Sequence, residues 1–305
     1  MLTAILAVTL IVPDLETAQS AYVKWLDYQV IETGTLKEAQ SQGWGAPLSE
    51  GRRYTLLQPA SGATTYLRLI QSPATPGYEV MRTYGWNSNE ILVKDPDALA
   101  EKLAAGSPFR IIGPPRPLSS SSTVRAMQAI GPAGELNYFT RIPEGGATFV
   151  KTSAQSFVDR TFIVVLGGPS MVAMQSFYRE TLGVPVTESS LAKIKVLQEA
   201  LELGDQAETA LALVRIADGF LIELDEYPAI TTARPIRGGD LPPGMSIVTF
   251  LAKDIDSKQL PWVVPPHARN EAPYYGRRAG MLKGAAGEWI ELVEAEAPIV
   301  ESTAK

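Results

Sequence analysis

The chain reads as short apolar strands and amphipathic helices in a recurring order. It opens on a nearly unbroken apolar run from Leu2 to Val12 that stops at Pro13-Asp14. Such a run, bounded by a turn signal, predicts a buried strand and is too short to cross a bilayer. Asp14 predicts a helix N-cap, because its carboxylate can accept from an unpaired amide of the first turn. Leu15, Ala18, Ala21, Tyr22, Trp25 and Leu26 then follow at helical spacing, and strands are predicted at residues 28–34, 53–58 and 64–70.

The same order returns three times. A second unit has a strand at 90–93, a helix at 95–105 and strands at 109–112, 123–130 and 135–142. In the third, a strand at 161–166 leads into a helix whose Met171, Met174, Phe177, Tyr178 and Leu182 face inward, with Gly183 as its stop signal. Strands at 184–188, 210–216 and 220–225 complete it. The fourth has strands at 245–252, 262–264, 275–282 and 288–294, with a short helix expected at 254–259. A broad apolar stripe over 190–206 predicts one extra helix inside the third unit.

Local echoes at nearly one offset point to duplication of a two-unit block. Phe177-Tyr178 repeats Ala21-Tyr22 at 156 residues, and Gly287-Glu288 repeats Gly134-Glu135 at 153. The natural boundary is 145–156. Two domains are therefore expected, 1–150 and 151–305, each holding two units.

Composition narrows the chemistry. The 305 residues contain no cysteine and one histidine, His267, which excludes thiolate sites, a cysteine nucleophile and any centre needing two imidazoles. The net charge is −6 and all of the excess acidity lies beyond residue 153, so nucleic acid is a poor partner. No phosphate-cradling loop or dinucleotide fingerprint is present. The expectation is a cytoplasmic protein acting on a small molecule, not bound to membrane, with a homodimer left open.

Four strand-helix-three-strand units resemble the vicinal oxygen chelate superfamily, the group of glyoxalase I, bleomycin resistance proteins and extradiol dioxygenases. The residues that carry the resemblance are Val8–Glu16 with Tyr22, Phe177-Tyr178 with Leu182-Gly183, Gly219–Leu224 and Gly287–Leu292. The resemblance implies an α+β fold, four βαβββ modules paired into two tandem cup-shaped domains. It also implies metal ligands on the first and fourth strands of each module, usually histidine and glutamate. Here the first-strand places hold Ala7, Ser88, a residue near 160–163, and Ile247, while the fourth-strand places hold Arg68, Tyr138, Glu223 and Glu291. The ordinary metal site is thus missing and no cofactor is expected. A divalent ion on Glu223 and Glu291 stays open, because hard ions accept oxygen ligands alone.

Strand alternation puts Leu221, Glu223 and Asp225 on one face of their strand, and Trp289, Glu291 and Val293 on one face of theirs. Both glutamates then point away from the helix layer, where burial and mutual repulsion would raise their pKa values and suit them to proton transfer. The competing reading makes them relics paired with arginines such as Arg215 or Arg277. His267 and Tyr274 are candidates to polarise a substrate oxygen, although a lone histidine in a loop is commonly just that. Trp289, Leu221, Tyr275, Arg277 and Ile247 are candidates to line the pocket. The expected function is a metal-independent isomerase or lyase acting on an apolar, oxygenated or aromatic substrate. The alternatives are a sequestering protein of the bleomycin-resistance kind and a dioxygenase with an unusual metal shell.

Overall fold

The computed structural model describes residues 2–118, 122–217, 219–256 and 259–295. Module one comprises β1 (Leu2–Val12), α1 (Leu15–Leu26), β2 (Gln29–Thr35), α2 (Glu38–Gly43), β3 (Arg53–Gln58) and β4 (Tyr66–Gln71). Module two comprises β5 (Gly85–Val93), α3 (Pro96–Ala104), β6 (Arg110–Pro117), β7 (Arg125–Ile130) and β8 (Leu136–Arg141). Module three runs through β9 (Val158–Gly168), α4 (Met171–Ser176), β10 (Ser190–Ala192), α5 (Lys195–Leu201), β11 (Thr209–Ala217) and β12 (Phe220–Glu226). Module four supplies β13 (Met245–Ala252), β14 (Val264–Ala268), β15 (Arg278–Lys283) and β16 (Trp289–Glu294).

The local signals act as expected. Asp14 accepts the amide of Thr17 at 3.0 Å and caps α1, whose Leu15, Ala18, Ala21, Tyr22 and Leu26 are buried. Gly183, at φ 67°, follows the π turn that ends the helical stretch of module three. Two details differ. The stripe over 190–206 is not one helix, because Ser190–Ala192 pairs with β11 as an edge strand and only Lys195–Leu201 is helical. Residues 255–256 form a turn where a helix was expected, and the rest of that expectation falls partly on 257–258, outside the described residues.

The modules do combine into two eight-stranded sheets, but not as neighbours in sequence. One sheet has the order β14-β15-β16-β13-β1-β4-β3-β2, the other β10-β11-β12-β9-β5-β8-β7-β6. Module one therefore shares a sheet with module four, across an antiparallel seam running from Leu2↔Ala252 to Leu10↔Met245. Module two shares a sheet with module three through β5 and β9, from Gly85↔Gly167 to Val93↔Val158. This corrects the expectation that residues 1–150 and 151–305 each close their own cup. The two sheets bury their helix-facing sides in one continuous core, in which Val8, Leu10 and Val248 of the first sheet meet Val164, Leu166 and Ile222 of the second.

What joins sequence neighbours is a pair of buried latches. Tyr22 on α1 donates its hydroxyl to Glu135 at 2.8 Å, linking modules one and two, and Tyr178 donates to Glu288 at 3.1 Å, linking three and four. The second oxygen of each carboxyl accepts the amide of the residue two before it, Ala133 at 2.9 Å and Ala286 at 2.8 Å. Gly131 and Gly284 make the room: a Cβ there would stand 1.9 and 1.8 Å from the carboxyl oxygens. The repeat seen in the sequence is thus a repeated hydrogen-bonded joint. Burial raises both carboxyls to about 7, against the hydrogen bonds that favour their charged form.

Candidate functional site

Each sheet leaves one face to the shared core and the other to a cup. In the first sheet the cup face carries Thr9 beside Arg68 and Thr249 beside Glu291, as the parallel registers of β1·β4 and β13·β16 require. Glu291 is fully buried. It accepts from Trp44 Nε1 at 2.9 Å, Thr249 Oγ1 at 2.7 Å and the Tyr274 hydroxyl at 2.9 Å. Arg269 completes the set, 3.6 Å from Glu291 and 2.7 Å from Glu271. Arg68 reaches Thr9 Oγ1 at 3.3 Å and the Tyr274 oxygen at 3.2 Å, and both guanidinium groups stack over Trp44 and Tyr274. Burial pushes the Tyr274 phenol up to about 12, against the downward pull of Arg68.

This first cup is filled by its own chain. The segment after β2 forms α2 and then turns Trp44, itself fully buried, into the cup against Ile247, Met281 and Trp289. The segment is tied down from outside by the Arg52–Asp240 ion pair and by the Leu48 amide on Gly239 O at 2.9 Å. Nothing in the spacing around Gly43-Trp44-Gly45 marked this residue, because a plug has no periodicity.

The second cup is chemically different. Along its face stand Glu90 beside Tyr138, Val165 beside Glu223, and Gly167 beside Asp225, with Leu213 and Leu211 opposite the two acids on β11. Glu90 accepts from Thr140 Oγ1 at 2.5 Å. Among the described residues Glu223 and Asp225 have no hydrogen-bond or ion-pair partner, and Asp225 Oδ1 is a buried, unpaired acceptor. Burial lifts Glu90 to about 7 and Asp225 to about 8. Glu223 is pushed well above the carboxylate range, first by burial and then by Asp225 and Glu90. Yet Glu223, Tyr138, Leu211 and Leu213 are only half-buried, so the acid lies deep in the protein while facing open space. α5 caps one side, packing Val196, Leu197 and Leu201 against Leu136 and Tyr227. The segment 147–154 closes another against Leu92, Ile163 and Leu221.

The expected site is thereby divided. Glu223 and Leu221 lie in the second cup, whereas Glu291, Tyr274, Trp289 and Ile247 lie in the first. The two glutamates neither face one another nor can share an ion, and the groups that raise Glu223 are Asp225 and Glu90. His267 sits on edge strand β14, its Nδ1 3.1 Å from Pro265 O, with Nε2 against Gly43 of α2. Tyr275 is 59 % exposed, and Arg277 holds the loop by donating from Nε to Tyr274 O at 2.8 Å. Arg215 is opposite Leu221 on β11 and exposed at the rim of the second cup, where it donates to Phe149 O at 3.5 Å. Glu291 does have an arginine partner, but it is Arg269. Asp225 was visible from strand alternation on the face of Glu223; Glu90 and Arg269 were not singled out by any local pattern.

Two sheets, each built from two βαβββ-like modules, the fourth without a helix among the described residues, and each curled into a cup, have the vicinal oxygen chelate fold in its tandem form. Over 96 % of its length the chain is similar in fold to glyoxalase I from Zea mays, with 15 % identity, 92 % of that chain covered and a TM-score of 0.62. A putative dioxygenase from Bacillus subtilis is similar over the same share, with 14 % identity, 86 % coverage and a TM-score of 0.59. The sequence matches no family model and no curated protein. At such identity the likeness is one of fold.

The fold raises the question of a metal, and the side chains of the first cup do not fit one. In the first cup the fourth-strand places hold Arg68, a cation, and Glu291, whose oxygens are already taken up by Trp44, Thr249 and Tyr274. In the second they hold Tyr138 and Glu223, beside Glu90 and Val165 on the first strands. Among the described residues no three acidic or histidine side chains are arranged to hold an ion. No described helix is long and apolar enough to cross a membrane.

Proposed function

We propose that the protein is a small-molecule enzyme that works by proton transfer in the second cup. The observation that carries this reading is the placement of Glu223 between Asp225 and Glu90 without a cation, on a wall that still faces open space. Neighbouring carboxyls held at different protonation equilibria divide acid and base roles at neutral pH. Glu90, near 7, accepts the proton of a carbon next to a carbonyl, and Glu223, protonated, delivers its own proton to the carbonyl oxygen. Return of the proton from Glu90 to another carbon, as the enol proton goes back to Glu223, completes an isomerisation; departure of a β substituent that takes the proton of Glu90, as the enol proton returns to Glu223, instead completes an elimination. Tyr138, Leu211 and Leu213 would hold an apolar, oxygenated body.

The test is a screen of carbonyl compounds for solvent deuterium exchange at the carbon next to the carbonyl. Exchange that wild type catalyses and Glu223→Gln or Glu90→Gln loses supports the reading; exchange unaffected by both rejects it. Sequestration without turnover is the second reading, favoured by the unpaired Asp225 Oδ1 that a bound molecule could satisfy. Binding without exchange would select it. A cytoplasmic location belongs to the same reading and is checked by fractionating the native host.

A further inference from the structure

The polar atoms left over in the two cups are of opposite kinds. In the first cup the chain supplies donors in excess: Arg269 donates its Nε to Glu271 at 2.7 Å but leaves both terminal nitrogens without a hydrogen bond, and Trp289 Nε1 is buried with no partner. In the second cup the leftovers are acceptors. Asp225 is 4 % exposed with Oδ1 unpaired, and Gln128, 6 % exposed and paired in register with Tyr138 on the cup face, has its amide oxygen unpaired. Glu223 and Glu90 add two more carboxyls to the same face. No guanidinium or ammonium of the described residues acts on Glu90, Glu223 or Asp225. Arg215 stands exposed at the rim of the same face, and Arg234, which bears on Tyr227, donates its Nη1 and Nη2 to the Met245 and Trp86 carbonyls at 2.7 and 2.6 Å and keeps its Nε unpaired.

Buried acceptors persist where a partner arrives from outside, since leaving them unpaired is unfavourable. A carboxylate ligand at Asp225 would meet acids, with an arginine of that face, Arg215, standing at the exposed rim. An alcohol could satisfy one acceptor but would leave the charge imbalance untouched. Only a group with several N–H donors and a positive charge answers every leftover at once, and the rings of Tyr138 and Tyr227 beside the acids suit the same charge.

From this geometry we infer that the molecule entering the second cup carries an organic cation, a primary ammonium or an amidinium on an apolar body, seated on Asp225 and the Gln128 amide oxygen, with Glu223 and Glu90 left to the carbonyl. The inference rests on the second cup being the ligand site and adds the class of ligand. Binding of the cation draws Asp225 toward its charged form, so the complex forms with release of a proton to solvent near neutral pH.

The experiment is calorimetric titration of the full chain at pH 7 with 2-phenylethylammonium, 2-phenylethanol and 3-phenylpropionate, each in two buffers of different ionisation enthalpy. The ammonium should bind about tenfold or more tighter than the alcohol, with an apparent enthalpy that changes between buffers, and the carboxylate should not bind. Asp225→Asn and Gln128→Leu, each checked for folding by circular dichroism, should weaken the ammonium by about tenfold. Equal or tighter binding of the alcohol or the carboxylate overturns the cationic class while leaving the cup a ligand site. Ammonium binding that neither variant weakens overturns the seat. If none of the three probes binds, the cup is not a small-molecule site, and the proposed function falls with the inference.

Discussion

Trp44 Nε1 and Glu291 Oε1 lie 2.9 Å apart, a hydrogen bond between residues 247 positions apart that closes the first cup. The bond is one of several on a carboxylate that also faces Arg68 and Arg269 through Tyr274 and directly. Glu291 is therefore the counter-charge of a buried cationic cluster. Glu291→Ala should destabilise the protein by about 3–5 kcal/mol, because two guanidinium groups would be left without it. Glu291→Gln, which keeps an acceptor for Trp44, should cost less. Urea unfolding of the two variants checks the order, and equal losses would contradict the cluster.

Glu223 predicts the opposite behaviour. Its carboxyl has no partner to lose among the described residues, and burial makes its ionisation unfavourable. Glu223→Gln should therefore fold as well as wild type at pH 4 and better than it at pH 7 and above, while solvent exchange of a substrate falls by about a hundredfold or more. A variant as destabilised as Glu291→Ala would show that Glu223 is structural.

The two latches give a pH signature. Glu135 and Glu288 titrate near 7 in the folded chain, above their unfolded value. The folded state thus binds more protons, so this stabilisation is full below about pH 4.5 and is lost as pH rises through 7. Replacing Glu135 by Gln removes its share, and the difference in unfolding free energy between pH 5 and pH 8 should shrink by about 2–3 kcal/mol. Denaturant titrations at the two pH values measure it; an unchanged difference would mean that Glu135 is ionised at pH 5.

The crossed pairing of modules predicts that the halves are not independent. A chain ending at residue 150 exposes the seam edges of β1 and β5, which pair with β13 and β9 in the whole protein. Residues 1–150 expressed alone should aggregate or self-associate, and co-expression with 151–305 should restore a soluble complex. A monomeric, cooperatively unfolding fragment would contradict this pairing.

Much of the architecture was legible because it is local. The cap at Asp14, the α1 stripe and the alternation that turns Glu223 and Glu291 from the core are set by periods of 3.6 and 2. Partner choice was not legible. The modules resemble one another, so the pattern in β1 suits β5 or β13 equally well, and the seam is decided by long-range packing. For that reason the sequence placed Glu223 and Glu291 in a common site that the sheets divide. Trp44 and Arg269 were hidden differently, since each comes from an irregular segment folded into the cup from the rim.

The central claim is that Glu223 stays protonated at neutral pH beside carboxyls that titrate near it. Carbon-13 NMR titration of glutamate carboxyls, with the resonance assigned by its loss in Glu223→Gln, tests this most directly. The account predicts a carboxyl that remains protonated at pH 7 and titrates above Glu90. A Glu223 resonance already ionised at pH 7, titrating in the ordinary carboxylate range, would contradict it and leave the second cup without its acid.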